Sequence, residues 1–153
     1  MLTKGAMPGK GPVLENAAKE LVVRMAGELR TVKVTRFGPA SNTGRAAESI
    51  AYELTENGFA ITGNAYIYQL IFGREPGAMP PLSAIAEWMR ERGIEGSAYP
   101  IAKAIAEKGT TIWQEHNPGT SGLFEAAIAE TAAQLTDELT DIFTQALIQS
   151  IYD

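Results

Sequence analysis

The sequence predicts an α+β fold: a small antiparallel sheet with a hairpin near residues 46–63, packed by N- and C-terminal helices, plus a helix pair at 82–108. Three observations carry this expectation. Apolar residues recur at helical spacing near both ends of the chain. Asn57-Gly58 separates two β-tolerant runs, Ser49 to Thr55 and Phe59 to Thr62, the strongest short hairpin signal because both residues accept positive φ. Between residues 80 and 110, Pro-Pro, Gly93, Ser97 and Gly109 punctuate two further apolar-periodic segments as helix starts and stops.

The elements follow in order. Residues 1–12, MLTKGAMPGKGP, are rich in Gly and Pro and predict an extended arm with no core of its own; residues 13–153 are expected to form a single α+β domain. Leu14, Ala18, Leu21, Val22, Met25 and Leu29 predict an amphipathic helix over 14–30. Thr31 to Phe37 alternates Val32 and Val34 with polar neighbours, as in a short strand, and Gly38-Pro39 with Ser41 to Gly44 breaks it into a loop. Ala46, Ala47 and Glu48 favour helix, so the first hairpin arm can begin helically. From Tyr66 to Phe72 the pattern fits both a strand (66, 68, 70, 72) and a helical turn (66, 67, 70, 71).

Arg74 to Met79 is a loop. Pro80-Pro81 opens the next helix, where proline is tolerated in the first turn, with Leu82, Ile85, Ala86 and Met89 inward and Gly93 as its C-terminal cap. Ser97 caps a second helix carrying Ile101, Ala102, Ile105 and Ala106, stopped by Gly109. Residues 117–122 are a loop. In the last 30 residues Ile128, Ala132, Leu135, Leu139, Ile142 and Ala146 step by four and three, the mark of a long helix with one apolar stripe.

With 153 residues, 45% hydrophobic and 20% charged, the composition is that of a folded domain and not a disordered one. The absence of cysteine excludes disulfides, thiolate metal sites and cysteine nucleophiles. No apolar run approaches the roughly 20 residues that span a bilayer, so no membrane partner is expected, and the first residues lack the apolar core of a secretory signal.

Charge placement says more than the net −5. Residues 1–45 carry eight Lys/Arg against three Glu, whereas from Gly109 onward there are seven acids and neither Lys nor Arg. Two explanations stay open. The basic first helix and acidic last helix pair within one molecule, or one subunit's basic face meets its neighbour's acidic one in head-to-tail association.

No residue pattern announces chemistry. His116, the single histidine, has no recognisable orienting group in its Trp-Gln-Glu-His-Asn-Pro-Gly context, and a base needs one. A zinc site wants several His or Cys ligands. Asp137, Glu138 and Asp141 place i and i+4 carboxylates on one helical face, yet a divalent cation usually draws oxygens from loops or several elements, and a solvated face is the better reading. The glycines of residues 5–11 lack the preceding strand and the Lys-Ser/Thr pair of a phosphate loop. Glu53, Glu56, Glu87 and Glu91 are carboxylates expected on any surface, and a glycosidase pair among them has no further support. No catalytic residue, cofactor site or metal site is assigned. The helix pair at 82–108 passes for a helix-turn-helix, and a small cytoplasmic DNA-binding regulator is the alternative function. Its second helix, however, begins Ser97-Ala98-Tyr99-Pro100 and offers only Lys103 and Lys108 to phosphates.

One longer pattern remains. From Tyr66 to Thr110 the chain reads YIYQLIFGREPGAMPPLSAIAEWMRERGIEGSAYPIAKAIAEKGT. A tyrosine-rich run ending in Phe72-Gly73-Arg74, a Gly/Pro loop ending in Pro-Pro, a helix with Trp and a helix ending in Gly-Thr follow in that order. With Thr43-Gly44-Arg45-Ala46-Ala47-Glu48-Ser49-Ile50 ahead of it, this resembles the tail-completion and head–tail joining (neck) proteins of long-tailed bacteriophages over roughly half of the chain. The resemblance implies a non-enzymatic virion structural protein: a homo-oligomeric ring at the head–tail junction or tail top, made in the host cytoplasm. Its partners would be neighbouring neck or tail proteins, with genome DNA passing through the channel without sequence-specific binding. It also implies a short helix for 66–72. The Gly/Pro arm and the long acidic terminal helix depart from the family's usual pattern. Expected oligomer contacts are Lys4, Met7, Pro8 and Lys10 of the arm, Arg36, Arg45 and Arg74, and the acidic Asp137, Glu138 and Asp141.

Overall fold

A computed structural model of the chain describes residues 10–31, 33–35, 38–39 and 44–152. In order they form helix α1 (Lys10–Thr31), strands β1 (Lys33–Thr35) and β2 (Gly38–Pro39), helix α2 (Arg45–Glu48), and strands β3 (Ala51–Thr55) and β4 (Gly58–Thr62). Helices α3 (Ala65–Phe72), α4 (Leu82–Glu91), α5 (Ala98–Lys108), α6 (Thr111–His116) and α7 (Glu125–Tyr152) complete the chain. The fold is α+β: mostly helical, with small antiparallel strand pairs. No described helix is long and apolar enough to cross a membrane.

The described residues divide into two compact units, interleaved in sequence: 10–25, 50–62 and 124–152 in the first, those within 26–49 together with 63–123 in the second. In the first unit α1 buries Ala18, Leu21 and Met25, as its helical spacing predicts, and Ala17 as well, while Leu14 and Val22 are half-buried. Residues 10–12, expected in the extended arm, are instead the first turn of α1. Pro12 is tolerated there because N–H groups of a first turn have no partner within the helix. The rest of the arm, including Lys4, Met7 and Pro8, lies outside the described residues, and so does Arg36.

The hairpin forms where Asn57-Gly58 placed it. β3 and β4 pair in register from Ala51↔Thr62 to Thr55↔Gly58, so the turn is the two residues Glu56 and Asn57. Neither these residues nor Gly58 has positive φ, so the turn is not the primed type that usually favours Asn-Gly. Tyr52 pairs with Ile61 and Leu54 with Phe59, which puts the large apolar side chains on one face. Ala51, Glu53, Thr55, Ala60 and Thr62 are all exposed on the other. The Tyr52 hydroxyl donates to Glu15 Oε1 of α1 at 3.2 Å.

α7 is the long terminal helix, but its covered face is turned from the expected stripe. Ala127 and Thr131 are buried and Leu135, Leu139 and Ile142 half-buried, whereas Ile128, Ala132 and Ala146 are exposed. The polar member of this row, Thr131, accepts a hydrogen bond from Arg24 Nη1 of α1 at 2.7 Å. That bond lets a hydroxyl occupy a position that spacing alone assigns to carbon.

In the second unit Ala26 and Leu29 of α1 are buried, with Ala46 and Ala47 of α2. β1 pairs antiparallel and irregularly with β2, so Gly38-Pro39 is a short strand where a loop was expected. α3 is a helix, as the family resemblance implies. Asn64 Oδ1 caps it by accepting from Ile67 N at 3.3 Å, and Ile67 and Leu70 are buried. Tyr68 is 64% exposed and lies against Phe72 one turn on, ring centroids 4.6 Å apart.

α4 buries Met89 and half-buries Ile85 and Trp88; Leu82 and Ala86, expected inward, are exposed. Gly93, at φ 65°, ends it in a Schellman motif, its N–H on Arg90 O and that of Ile94 on Met89 O. Ser97 caps α5 through its Oγ, which accepts from Tyr99 N at 3.3 Å. α6 was not anticipated. Thr110 caps it by accepting from Trp113 N at 3.4 Å, and Ile112 is buried.

Candidate functional site

The Phe-Gly-Arg and Lys-Gly-Thr words that carry the resemblance meet in the second unit and form a backbone clasp. Thr110 N donates to the Arg74 carbonyl at 2.9 Å, and Arg74 N donates to Thr110 Oγ1 at 2.9 Å. Thr110 therefore serves both strands of the clasp and caps α6 with the same oxygen. Gly73 has φ 76° and Gly109 φ 77°, a region that costs any residue with a Cβ. Space forbids one as well. A Cβ on Gly73 would lie 2.3 Å from Trp113 N, and one on Gly109 would lie 2.7 Å from the Arg74 carbonyl oxygen.

Further bonds tie the loop to the helices around it. Gly77 N donates to the Ala106 carbonyl at 2.9 Å, and Gln114 Nε2 to the Gly109 carbonyl at 3.0 Å. Ser121 covers the end of α3, its N–H donating to Ile71 O at 2.8 Å and its hydroxyl to Leu70 O at 2.7 Å. The glycines and the threonine of the pattern are thus explained by close backbone approach and satisfied polar groups. Each is a structural requirement of this unit.

Arg74, an expected oligomer contact, is half-buried at this clasp, and its Nη2 donates to the Ala78 carbonyl at 3.0 Å. Arg45, at the start of α2, reaches α4: it pairs with Glu87 at 3.0 Å and also with Glu91. The two carboxylates sit four residues apart on one face of α4, so a single guanidinium spans both.

In the first unit the expected acidic residues lie midway along α7. Asp137 and Asp141 are exposed and Glu138 half-buried. Glu138 accepts from Gln134 Nε2 at 3.4 Å, and neither aspartate pairs with a cation among the described residues. Arg24 is the point where the basic first helix and the acidic last helix meet within one molecule. It lies 3.6 Å from Glu130 and 3.8 Å from Glu20, and it also donates to Gln134 at 3.2 Å. Of the expected arm contacts, Lys10 has a described helical backbone only. The expected residues do not converge on one site: Arg45 and Arg74 belong to the second unit and the acids to the first.

Features of ordinary chemical sites are sparse. His116 is exposed and 3.9 Å from Glu115, a contact between neighbours on one short helix. Among the described residues no group of three His, Asp or Glu side chains is placed to hold a metal ion. An open depression of about 480 Å³ lies at the α4–α5 turn and is lined by Ala86, Met89, Arg90 and residues 93–96. Lys103 on α5 pairs with Glu107 at 3.9 Å, leaving the candidate recognition helix little free positive charge.

What sequence reasoning missed is the apolar surface of α7 beyond Ile142. Phe143, Leu147, Ile148, Ile151 and Tyr152 are all exposed. The i, i+4 spacing of Phe143, Leu147 and Ile151 reads as a widening of the stripe that packs on the chain's own core, and the structure leaves all three exposed instead. No protein-family model matches the chain, and neither does any curated protein or solved structure.

Proposed function

We propose that this chain is a non-enzymatic virion structural protein that assembles into a ring at the head–tail junction or the top of the tail of a long-tailed bacteriophage. The observation that carries the proposal is the order of words from Tyr66 to Thr110, which resembles that of phage tail-completion and neck proteins. The clasp supports it, because the recurring Gly and Thr residues have backbone duties and leave no unexplained ligand pattern behind. Charge supports it too. A ring through which a genome passes must not grip phosphates, and the last 45 residues carry seven acids and neither Lys nor Arg.

The partners under this proposal are further copies of the chain and the adjoining neck or tail proteins. The test is direct. Purified particles of the phage that encodes the chain are analysed by quantitative mass spectrometry and by gold-labelled antibody in the electron microscope. The expected result is several copies per particle with label at the neck or tail top, and separate heads and tails when the gene is interrupted. Particles that lack the protein, or that assemble normally without it, would refute the proposal.

A further inference from the structure

Two surfaces of the first unit are left uncovered. The first is the end of α7. Every residue from Phe143 to Tyr152 is exposed, none is charged, and the five large apolar side chains are 48 to 84% exposed. At about 200 Å² per large side chain they leave on the order of 600 Å² of apolar surface in water. Phe143, Leu147 and Ile151, on one face of the helix, hold on the order of 350 Å² of it, within the range of the largest patch of a typical monomer and nearly half of the roughly 800 Å² that one partner contributes to a stable interface. The second surface is on α1, where Val23 is 70% exposed. It lies in a shallow depression of about 260 Å³ formed with Lys19, Glu20 and Arg24, whose aliphatic stems extend the apolar ground around Val23.

Charge selects the occupant. An anionic bilayer or a nucleic acid needs cations around an apolar insert, and the chain from Gly109 onward has neither Lys nor Arg. Two α7 ends lying parallel against each other would bring Asp137 and Asp141 of both copies together, which is unfavourable. The α1 surface offers the opposite rim. Among the described residues Lys19 is held by an exposed pair with Glu15 at 3.3 Å, and such a pair is worth little, so its ammonium can turn to a new carboxylate.

We infer that the end of α7, through Phe143, Leu147 and Ile151, seats on the Val23 surface of α1 in a second copy of the chain, with Asp141 toward Lys19 of that copy. The contact joins different surfaces of the two copies, so it repeats head to tail and closes into a ring when the rotation allows. It rests on the ring proposed above and specifies the elements that build it.

Mass measurement in solution by light scattering or native mass spectrometry tests this with Val23→Asp and Ile151→Asp. Both positions are more than two-thirds exposed, so the far-UV circular dichroism of the native fold should persist. Leu147→Glu, on the same face and 49% exposed, serves as a second end variant should Ile151→Asp lose helix. The native protein is expected to be a closed oligomer and each variant alone a monomer. An equimolar mixture of a Val23 variant with an end variant should give a heterodimer and nothing larger, because one intact contact survives between them. A monomeric native protein, a Val23→Asp variant that assembles like the native one, or a mixture that stays monomeric overturns the inference. The two proposals fail separately. Virion protein with the wrong assembly behaviour removes the docking contact alone, whereas the predicted masses with no protein in particles remove the virion role alone.

Discussion

Replacing Gly73 with alanine tests the clasp at its tightest point. At φ 76° and ψ −175° the residue occupies a region held almost solely by glycine, where another residue costs about 1–3 kcal/mol. The added Cβ would fall 2.3 Å from Trp113 N and 2.7 Å from its Cα. Both atoms are backbone, so no side-chain rotation relieves the overlap, and overpacking adds about 1–3 kcal/mol. Shifting Trp113 also pulls on Thr110, whose hydroxyl serves Arg74 and Trp113 together. The expected loss is therefore about 3–5 kcal/mol, a large part of the roughly 5–15 kcal/mol that holds an ordinary domain folded. Urea unfolding followed by tryptophan fluorescence measures it, because Trp113 sits at the clasp. A loss below about 1 kcal/mol, with native fluorescence, would show that the backbone there yields at little cost and that the clasp is not the constraint argued above.

Other substitutions probe separate features. Thr110→Val keeps the shape but strips the acceptor from Arg74 N and Trp113 N, and should cost about 1–2 kcal/mol in the same unfolding experiment. Gly27→Ala should stabilise by up to about 1 kcal/mol in thermal melts, since this α1 glycine has no neighbour within 4 Å of an added Cβ and is not at positive φ. Arg45→Ala removes the pairs with Glu87 and Glu91, yet Arg45 is exposed, so the cost should stay within about 1 kcal/mol and shrink in salt. If charge steers assembly, Asp137→Lys with Asp141→Lys should lower the oligomer fraction measured by light scattering. The native oligomer should also loosen as salt approaches about 1 M, where screening extends to about 3 Å.

Local rules were legible where one element decided its own ends. Ser97, Gly93 and Gly109 stopped or started helices as their chemistry requires, because caps act within a turn of the chain. The hairpin was legible from Asn57-Gly58, although neither residue uses the positive φ that made the signal strong. Tertiary choices were not legible. Thr131 is buried because Arg24, 107 positions away in sequence, donates to it, and no window along α7 contains that partner. The Tyr66–Phe72 segment fitted both periods. Its cap at Asn64 and the stop at Gly73 settled it as helix. α6 was missed because its six residues are too few for a periodic pattern, and its start depends on Thr110 holding two chain segments at once. For the assembly surface, spacing revealed an apolar stripe on α7 but not which part of it the chain itself covers.

The clasp has a consequence for how this chain can vary. Arg74 and Thr110 are 36 positions apart, and their bonds shut the α4–α5 segment into a loop tied at its base. Once the ends of a loop are fixed, its length matters little: doubling it costs only about 0.6 kcal/mol in closure entropy. The tie fixes where the excursion starts and ends, and exposed pairs from Arg45 of α2 to Glu87 and Glu91 of α4 hold it a second time. The exposed α4–α5 turn, residues 93 and 95–97, can be lengthened, shortened or exchanged to suit a different neighbour while Gly73, Gly109 and Thr110 stay put. The clasp works as a socket for an interchangeable part.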